Sequence, residues 1–305
     1  MTNTEDRGLS SAKHYNPGEG WTPGDLDFFK VPQHHYNDEE NDVWRTLYKR
    51  QEEVLKGRAI SLFMDSMSSL GINRDRVPAF DDVNEILKKR TGWQVIPVEG
   101  LIPDEPFFEL LANRRFPIGN FIRTKDSLDY IQEPDVFHDL FGHVPLLAEE
   151  TFAKYMQAYG EGGLKAAKLG MTNKLARLYW YTVEFGLIEE PDGLRIYGAG
   201  ILSSPTESVF ALESASPHRI GFDVKRLLQT HYQIDDFQDN YFVIESFDQL
   251  FNETYADFTP LYEELKGKPE YPAGTLLDGD KVYHKGTGEY AIEADKRRDA
   301  RRNQE

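Results

Sequence analysis

The sequence predicts a mainly α, α+β fold, one domain of packed helices with a few short strands. Three observations predict it. Apolar residues recur in four-residue steps at Val43, Leu47, Leu55, Ala59, Phe63 and Met67, the repeat of a helix with one buried stripe. Helix-start signals recur as well, as in Ser204-Pro205-Thr206-Glu207 and Ser246-Phe247-Asp248-Gln249, where a hydroxyl precedes an acid or amide three residues on. Extended runs are few and short: Trp93 to Val98, Leu194 to Tyr197 and Tyr241 to Ile244.

Residues 1–37 are rich in Gly, Pro and polar groups and read as an extended N-terminal arm anchored by Trp21, Phe28 and Phe29. A long helix is expected over 38–70, kinked at Gly57 and stopped by Gly71. Asp81 and Asp82 open a short helix that Gly92 ends. After the extended piece from Trp93 comes a turn at Gly100-Leu101-Ile102-Pro103, then a helix capped by Asp104 that holds Phe107, Phe108, Leu110 and Leu111. Beyond Pro145 a helix through Phe152, Tyr155 and Met156 is expected to break at Gly160 to Gly163, and another to span Asn173 to Leu187. Gly198-Ala199-Gly200 permits close backbone approach after the strand at Leu194. Asp223 starts a further helix, and Ser246 one that reaches about Leu265. The main domain thus covers 38–265. The tail, 266–305, is expected to hold a hairpin about Asp278-Gly279-Asp280 and to end in a solvated charged run from Asp295.

The 305 residues suffice for one large domain. With 35 basic and 52 acidic side chains the net charge is −17, which argues against nucleic acid and anionic membranes as partners. There is no cysteine and so no disulfide, as suits a reducing cytoplasm. No apolar run approaches the roughly 18 residues of a membrane span, and the N-terminus lacks a basic-then-apolar leader pattern. A soluble cytoplasmic protein is expected.

The chemistry concentrates between Glu133 and Pro145, where His138 and His143 stand five residues apart in an apolar run. On a straight α-helix such positions diverge by roughly 140°. His138 is therefore expected on a helix and His143 where Gly142 and Pro145 end it, so that both rings can turn to one centre. Polar rings in an apolar run need a partner, either backbone carbonyls or a metal. Glu184 is the one acid between Leu175 and Gly186, and a buried carboxylate is costly unless something cationic balances it. Two histidines and a carboxylate with open positions suit non-haem Fe(II) that activates oxygen. Zinc with the same donors is the rival, although the His-Glu-x-x-His spacing is absent because Asp139 follows His138. Trp180 precedes Glu184 by four residues, on one face of the expected helix, where its ring could wall an aromatic pocket or simply pack in the core. His34, His35, His218 and His231 lie in polar surroundings and are expected to be solvated or locally hydrogen-bonded.

Pro134-Asp135-x-x-His138-Asp139-x-x-Gly142-His143-Val144-Pro145, Tyr179-Trp180-Tyr181-Thr182-Val183-Glu184-Phe185-Gly186 and Tyr197-Gly198-Ala199-Gly200-x-x-Ser203-Ser204 together resemble the pterin-dependent aromatic amino acid hydroxylases, bacterial members above all. The likeness runs from about Trp93 to Tyr262. It implies a single hydroxylase-like catalytic domain that converts L-phenylalanine to L-tyrosine with Fe(II), O2 and a tetrahydropterin, tetrahydrobiopterin or a relative. It implies iron on His138, His143 and Glu184, and the pterin ring held by Gly100, Leu101, Ile102 and Phe107, with Asp104 a further candidate. Arg123 would grip the substrate carboxylate through two parallel hydrogen bonds, with Pro134, Trp180, Gly200 and Ser203 around the amino acid. Asp139 would orient a histidine or a water beside the pterin, and Tyr179 would donate from behind the ligands. Tyrosine or tryptophan as substrate is the nearest alternative, Trp180 disfavouring the tryptophan enzymes, whose matching position is typically Phe. A zinc hydrolase with the same ligands is the alternative of another class. The regulatory domain and assembly helix of eukaryotic relatives are not recognisable, which favours a monomer.

Overall fold

The computed structural model describes residues 20–129 and 131–302, so residues 1–19 of the expected arm and 303–305 of the tail lie outside it. The rest of the arm reaches the first helix without a helix or strand of its own. Helix α1 (Asp38–Val54) opens on a capping box between Asn37 and Glu40 and buries Val43, Trp44, Leu47 and Tyr48. Gly57 then takes φ +70°, and α2 (Leu62–Ser69) begins afresh. The single helix expected over 38–70 is two, because a left-handed glycine terminates a helix rather than bending it.

Next come α3 (Phe80–Arg90), β1 (Gln94–Val98), α4 (Asp104–Ala112) and β2 (Arg115–Gly119). β1 and β2 pair in parallel, from Gln94 opposite Arg115 to Val98 opposite Gly119. A π-helical segment, Phe137–His143, runs directly into α5 (Val144–Leu147). After α6 (Glu150–Leu169) and α7 (Thr172–Tyr179), the chain widens into a second π-helical segment, Trp180–Glu184. The helix expected to Leu187 therefore ends at Glu184.

The remainder is β3 (Leu187–Glu190), β4 (Gly193–Ile196), α8 (Ala199–Leu202), α9 (Pro205–Glu213), β5 (His218–Gly221), α10 (Val224–Leu228), β6 (Asn240–Ile244), α11 (Phe247–Thr254), α12 (Thr259–Leu265), β7 (Val282–His284) and α13 (Glu289–Arg302). Pro260 starts α12 anew, so the helix expected from Ser246 to Leu265 is also two. The strands order as β4-β3-β6-β5-β7 in a mixed sheet. No hairpin forms about Asp278-Gly279-Asp280: β7 pairs antiparallel with β5, far back in the chain, and the described part of the charged run, to Arg302, lies in α13.

Gly160 and Gly163 do not break α6. They let α4 lie against it: a Cβ on Gly160 would stand 2.3 Å from Ala112 N, and one on Gly163 2.2 Å from the Phe108 ring. Close packing here outweighs the poor helix propensity of glycine. The core between these layers is dense in aromatics, among them Trp44, Phe63, Phe137, Phe141 and Tyr155. Among the described residues, no helix is long and apolar enough to cross a membrane.

Candidate active site

Each π-helical segment ends on a candidate ligand. In a π-helix the backbone bonds run from i to i+5, so residues five apart become neighbours on successive turns. His138 and His143 accordingly meet with their Nε2 atoms 3.2 Å apart. The expectation that the helix ends at His143 is replaced by a change of helical register within a continuous run. Gly142 lets that wide turn settle on α8, since a Cβ there would stand 2.8 Å from Ala199 O. Glu184, the last residue of the second π segment, brings Oε1 to 3.2 Å from His143 Nε2 and Oε2 to 3.6 Å from His138 Nε2. All three donors lie within 4.8 Å of one another. A first-row ion bonded at about 2.1 Å sets neighbouring ligands roughly 3 Å apart, so these residues fit one ion gripped on one face.

The electrostatics agree. Burial pulls the His138 imidazole down to about 4, which keeps it neutral and able to coordinate. Burial favours the acid form of Glu184, but His143, His138 and the Gly200 N–H outweigh it and hold the carboxyl below its usual range. Ser203 Oγ lies 2.9 Å from His138 Nδ1, the partner that the second nitrogen of a ligand histidine requires. Phe116 and Tyr179 pack on the His143 ring at 4.9 and 6.2 Å. Asp139 accepts from Gly119 N at 2.7 Å, and burial pushes its carboxyl up to about 7.

The three candidate ligands face a cavity with about 700 Å³ of empty space, its opening to solvent included. Its walls include all four residues assigned to the pterin (Gly100, Leu101, Ile102 and Phe107) together with Asp104, Pro134, Asp139 and Tyr179. Val98, Phe116, Pro117 and Gly119 line it too and were missed by sequence reasoning. A strand assignment at 115–119 would have found the last three, but Pro117 hides that strand.

The other assigned residues stand elsewhere. Gly200 and Ser203 lie behind Glu184 and His138 rather than in the wall. Arg123 is already forked onto buried Asp135, through Nε at 2.8 Å and Nη2 at 2.9 Å, so both edges of a substrate carboxylate cannot take that fork. Asp135 also accepts from the Arg123 and His138 backbone N–H groups, a tie that sequence reasoning missed. Trp180 does not line the cavity: Nε1 donates to Gln238 Oε1 at 2.9 Å and the ring stacks on Tyr232 at 4.5 Å. Trp180 begins a π turn, in which residues four apart no longer share a face as they would on an α-helix.

Two histidines and a glutamate closing one face of a cavity define a mononuclear metalloenzyme of the two-histidine, one-carboxylate class. Residues 27–261 match the biopterin-dependent aromatic amino acid hydroxylases, and the chain belongs to that family. It is 61% identical over 258 residues to phenylalanine-4-hydroxylase of Ralstonia nicotianae, covering 85% of this chain and 82% of that one. It is 55% identical over 256 residues to phenylalanine-4-hydroxylase of Caulobacter vibrioides, covering 84% and 87%. Among solved structures, Chromobacterium violaceum phenylalanine hydroxylase with iron(III) and oxidised 7,8-dihydrobiopterin matches with a TM-score of 0.81 at 53% identity, over 87% of this chain and 96% of that one.

Proposed function

We infer that the chain is an iron- and tetrahydropterin-dependent phenylalanine 4-monooxygenase, forming L-tyrosine from L-phenylalanine and O2. The observation that carries this reading is the set of three donors, 3.2 to 3.6 Å apart, on the wall that faces Gly100, Leu101, Ile102 and Phe107. The Phe107 ring on the cavity wall offers an aromatic face that suits a flat heterocycle. Relatives named for phenylalanine hydroxylation, and a related structure with iron and dihydrobiopterin, support substrate and cofactors alike. The zinc-hydrolase alternative has no support from the family, and nothing favours tyrosine or tryptophan as substrate.

When bound, Fe(II) and the tetrahydropterin supply the electrons that activate O2 and place one oxygen atom on the aromatic ring. His138, His143 and Glu184 hold the metal. Ser203 fixes the His138 ring from its far nitrogen, which presents Nε2 to the site. Phe116 and Tyr179 pack against the His143 ring and help to hold its orientation. Arg123, held by Asp135, keeps Nη1 for one oxygen of the substrate carboxylate, and Pro134 borders the cavity nearby. Gly200 acts on the amino acid end through Glu184, and Trp180 through the Tyr232 and Phe185 rings against it.

The chain works as a cytoplasmic monomer in this reading, supported by the charge of −17, which sets copies repelling, and by the absence of cysteine. The test is reconstitution. Protein loaded with Fe(II) without oxygen is mixed with tetrahydrobiopterin and L-phenylalanine and then exposed to air. Tyrosine formed only when iron and pterin are both present is the expected result. No tyrosine from iron-replete protein overturns the reading and directs the assay to L-tryptophan and L-tyrosine.

A further inference from the structure

β1 pairs with β2 on one side only, and its Pro97 has no N–H to give a ladder. A two-stranded sheet is marginal alone, yet this one carries a wall of the cavity. The N-terminal arm covers the open edge. Val31 N donates to Pro97 O at 3.0 Å. Leu26 and Phe29 join Ile102 in packing on Ile96, Val98 and Leu110. Arg115 Nη1 reaches back to Leu26 O at 3.0 Å and to Asp27 at 2.6 Å.

Asn120 buckles arm and sheet together where the two strands end. Its Oδ1 accepts from His34 N at 2.8 Å, its Nδ2 donates to Pro32 O at 2.9 Å, and its own N–H donates to Val98 O at 3.0 Å. One residue earlier, Gly119 N holds the Asp139 carboxylate at 2.7 Å. Val98, Ile102, Gly119 and Asp139 all line the cavity. The metal ligands hang on the two π segments, and Gly119 meets the first of these at Asp139, between the two histidines.

We propose that Asn120 is a positioning residue for the pterin, locking the arm to β1 and β2 so that Ile102, Gly119 and Asp139 are held at the cofactor's side of the cavity. The inference rests on the pterin reading of that cavity.

The experiment compares wild-type protein with Asn120→Ala and Asn120→Asp, all iron-loaded. Calorimetric titration with 7,8-dihydrobiopterin is read beside iron content and the KM values for tetrahydrobiopterin and L-phenylalanine. Asn120→Ala should weaken pterin binding and raise its KM by roughly three- to tenfold, the scale of one or two lost hydrogen bonds. Iron content and the KM for L-phenylalanine should stay within about twofold of wild type. Asn120→Asp keeps the acceptor for His34 N and should fall between. Equal loss on pterin, iron and phenylalanine marks a general packing role and overturns the proposal, as does unchanged pterin binding. Should Asn120→Ala not fold, hydrogen exchange on the wild type decides: dihydrobiopterin should slow exchange at Val31 and His34, and an unaffected arm refutes the proposal. A wild-type protein that binds no pterin overturns the reading of the cavity, and this inference with it.

Discussion

Glu184 carries a negative charge that two imidazole donors cannot offer a dication. Glu184→Gln keeps the volume but removes that charge and one donor oxygen, so iron affinity should fall at least 100-fold, the upper range for mere supporting groups. Iron content after dialysis checks it, and retained iron with full turnover would remove Glu184 from the ligand set. Ser203→Ala leaves the ligands but frees His138 Nδ1, and about 10- to 100-fold weaker iron binding is expected from the same titration. The three donors that converge were legible in the sequence as candidate ligands, because His138 and His143 stand in an apolar run and Glu184 is the single acid in another. Their supports were not. The fork of Arg123 onto Asp135 spans twelve residues and depends on how the chain folds back between them. Trp180 and Tyr232 are 52 positions apart by their numbers, and no spacing rule links them.

Helices and strands were readable where one face is apolar and the ends are punctuated, as at Ser204 and Ser246. What apolar periodicity does not encode is the hydrogen-bond register inside a helix. The shift to i→i+5 at Phe137 and again at Trp180 comes from packing, and it alone brings residues five apart together. Gly160 and Gly163 were misread for a related reason: propensity is local, whereas the contact with α4 is not. Gly163→Ala should therefore destabilise the protein although alanine is the better helix former. Its Cβ would fall 2.2 Å from the Phe108 ring, a misfit that costs about 1–3 kcal/mol or more. A thermal melt reads the outcome, and a rise in Tm would mean that α4 and α6 part without penalty. Phe108 adjoins Phe107 on α4, so the same variant should also raise the KM for the pterin.

Residues beyond the helices of the main domain help to close the fold. The family match stops at residue 261, yet β7 lies beyond it and completes the sheet against β5. Arg226 on α10 meets Asp280 in the tail, Nε to Oδ1 at 2.9 Å, with both side chains buried and the guanidinium over Tyr271. Asp280→Ala strands that cation and should cost about 3–5 kcal/mol, seen as a lowered urea midpoint. A second long-range tie sets how stability varies with pH. Glu207 on α9 is buried and accepts from the Tyr241 hydroxyl of β6 at 2.8 Å; burial pushes its carboxyl up to about 7 from an ordinary 4.5. A raised carboxyl binds its proton more tightly in the folded chain than in the unfolded one. Its contribution is thus complete below about 4.5 and is lost as pH rises through about 7. Asp236 adds to the rise, while the Tyr241 hydroxyl and the Gln238 backbone oppose it. Glu207→Gln keeps an acceptor for Tyr241 and has no proton to lose. The wild type should lose on the order of 3 kcal/mol relative to this variant between pH 4.5 and 8, since each pKa unit is worth about 1.4 kcal/mol. Urea unfolding of both proteins across that range isolates the effect, because every other titrating group is shared. Parallel pH profiles would show that Glu207 stays charged in the folded protein.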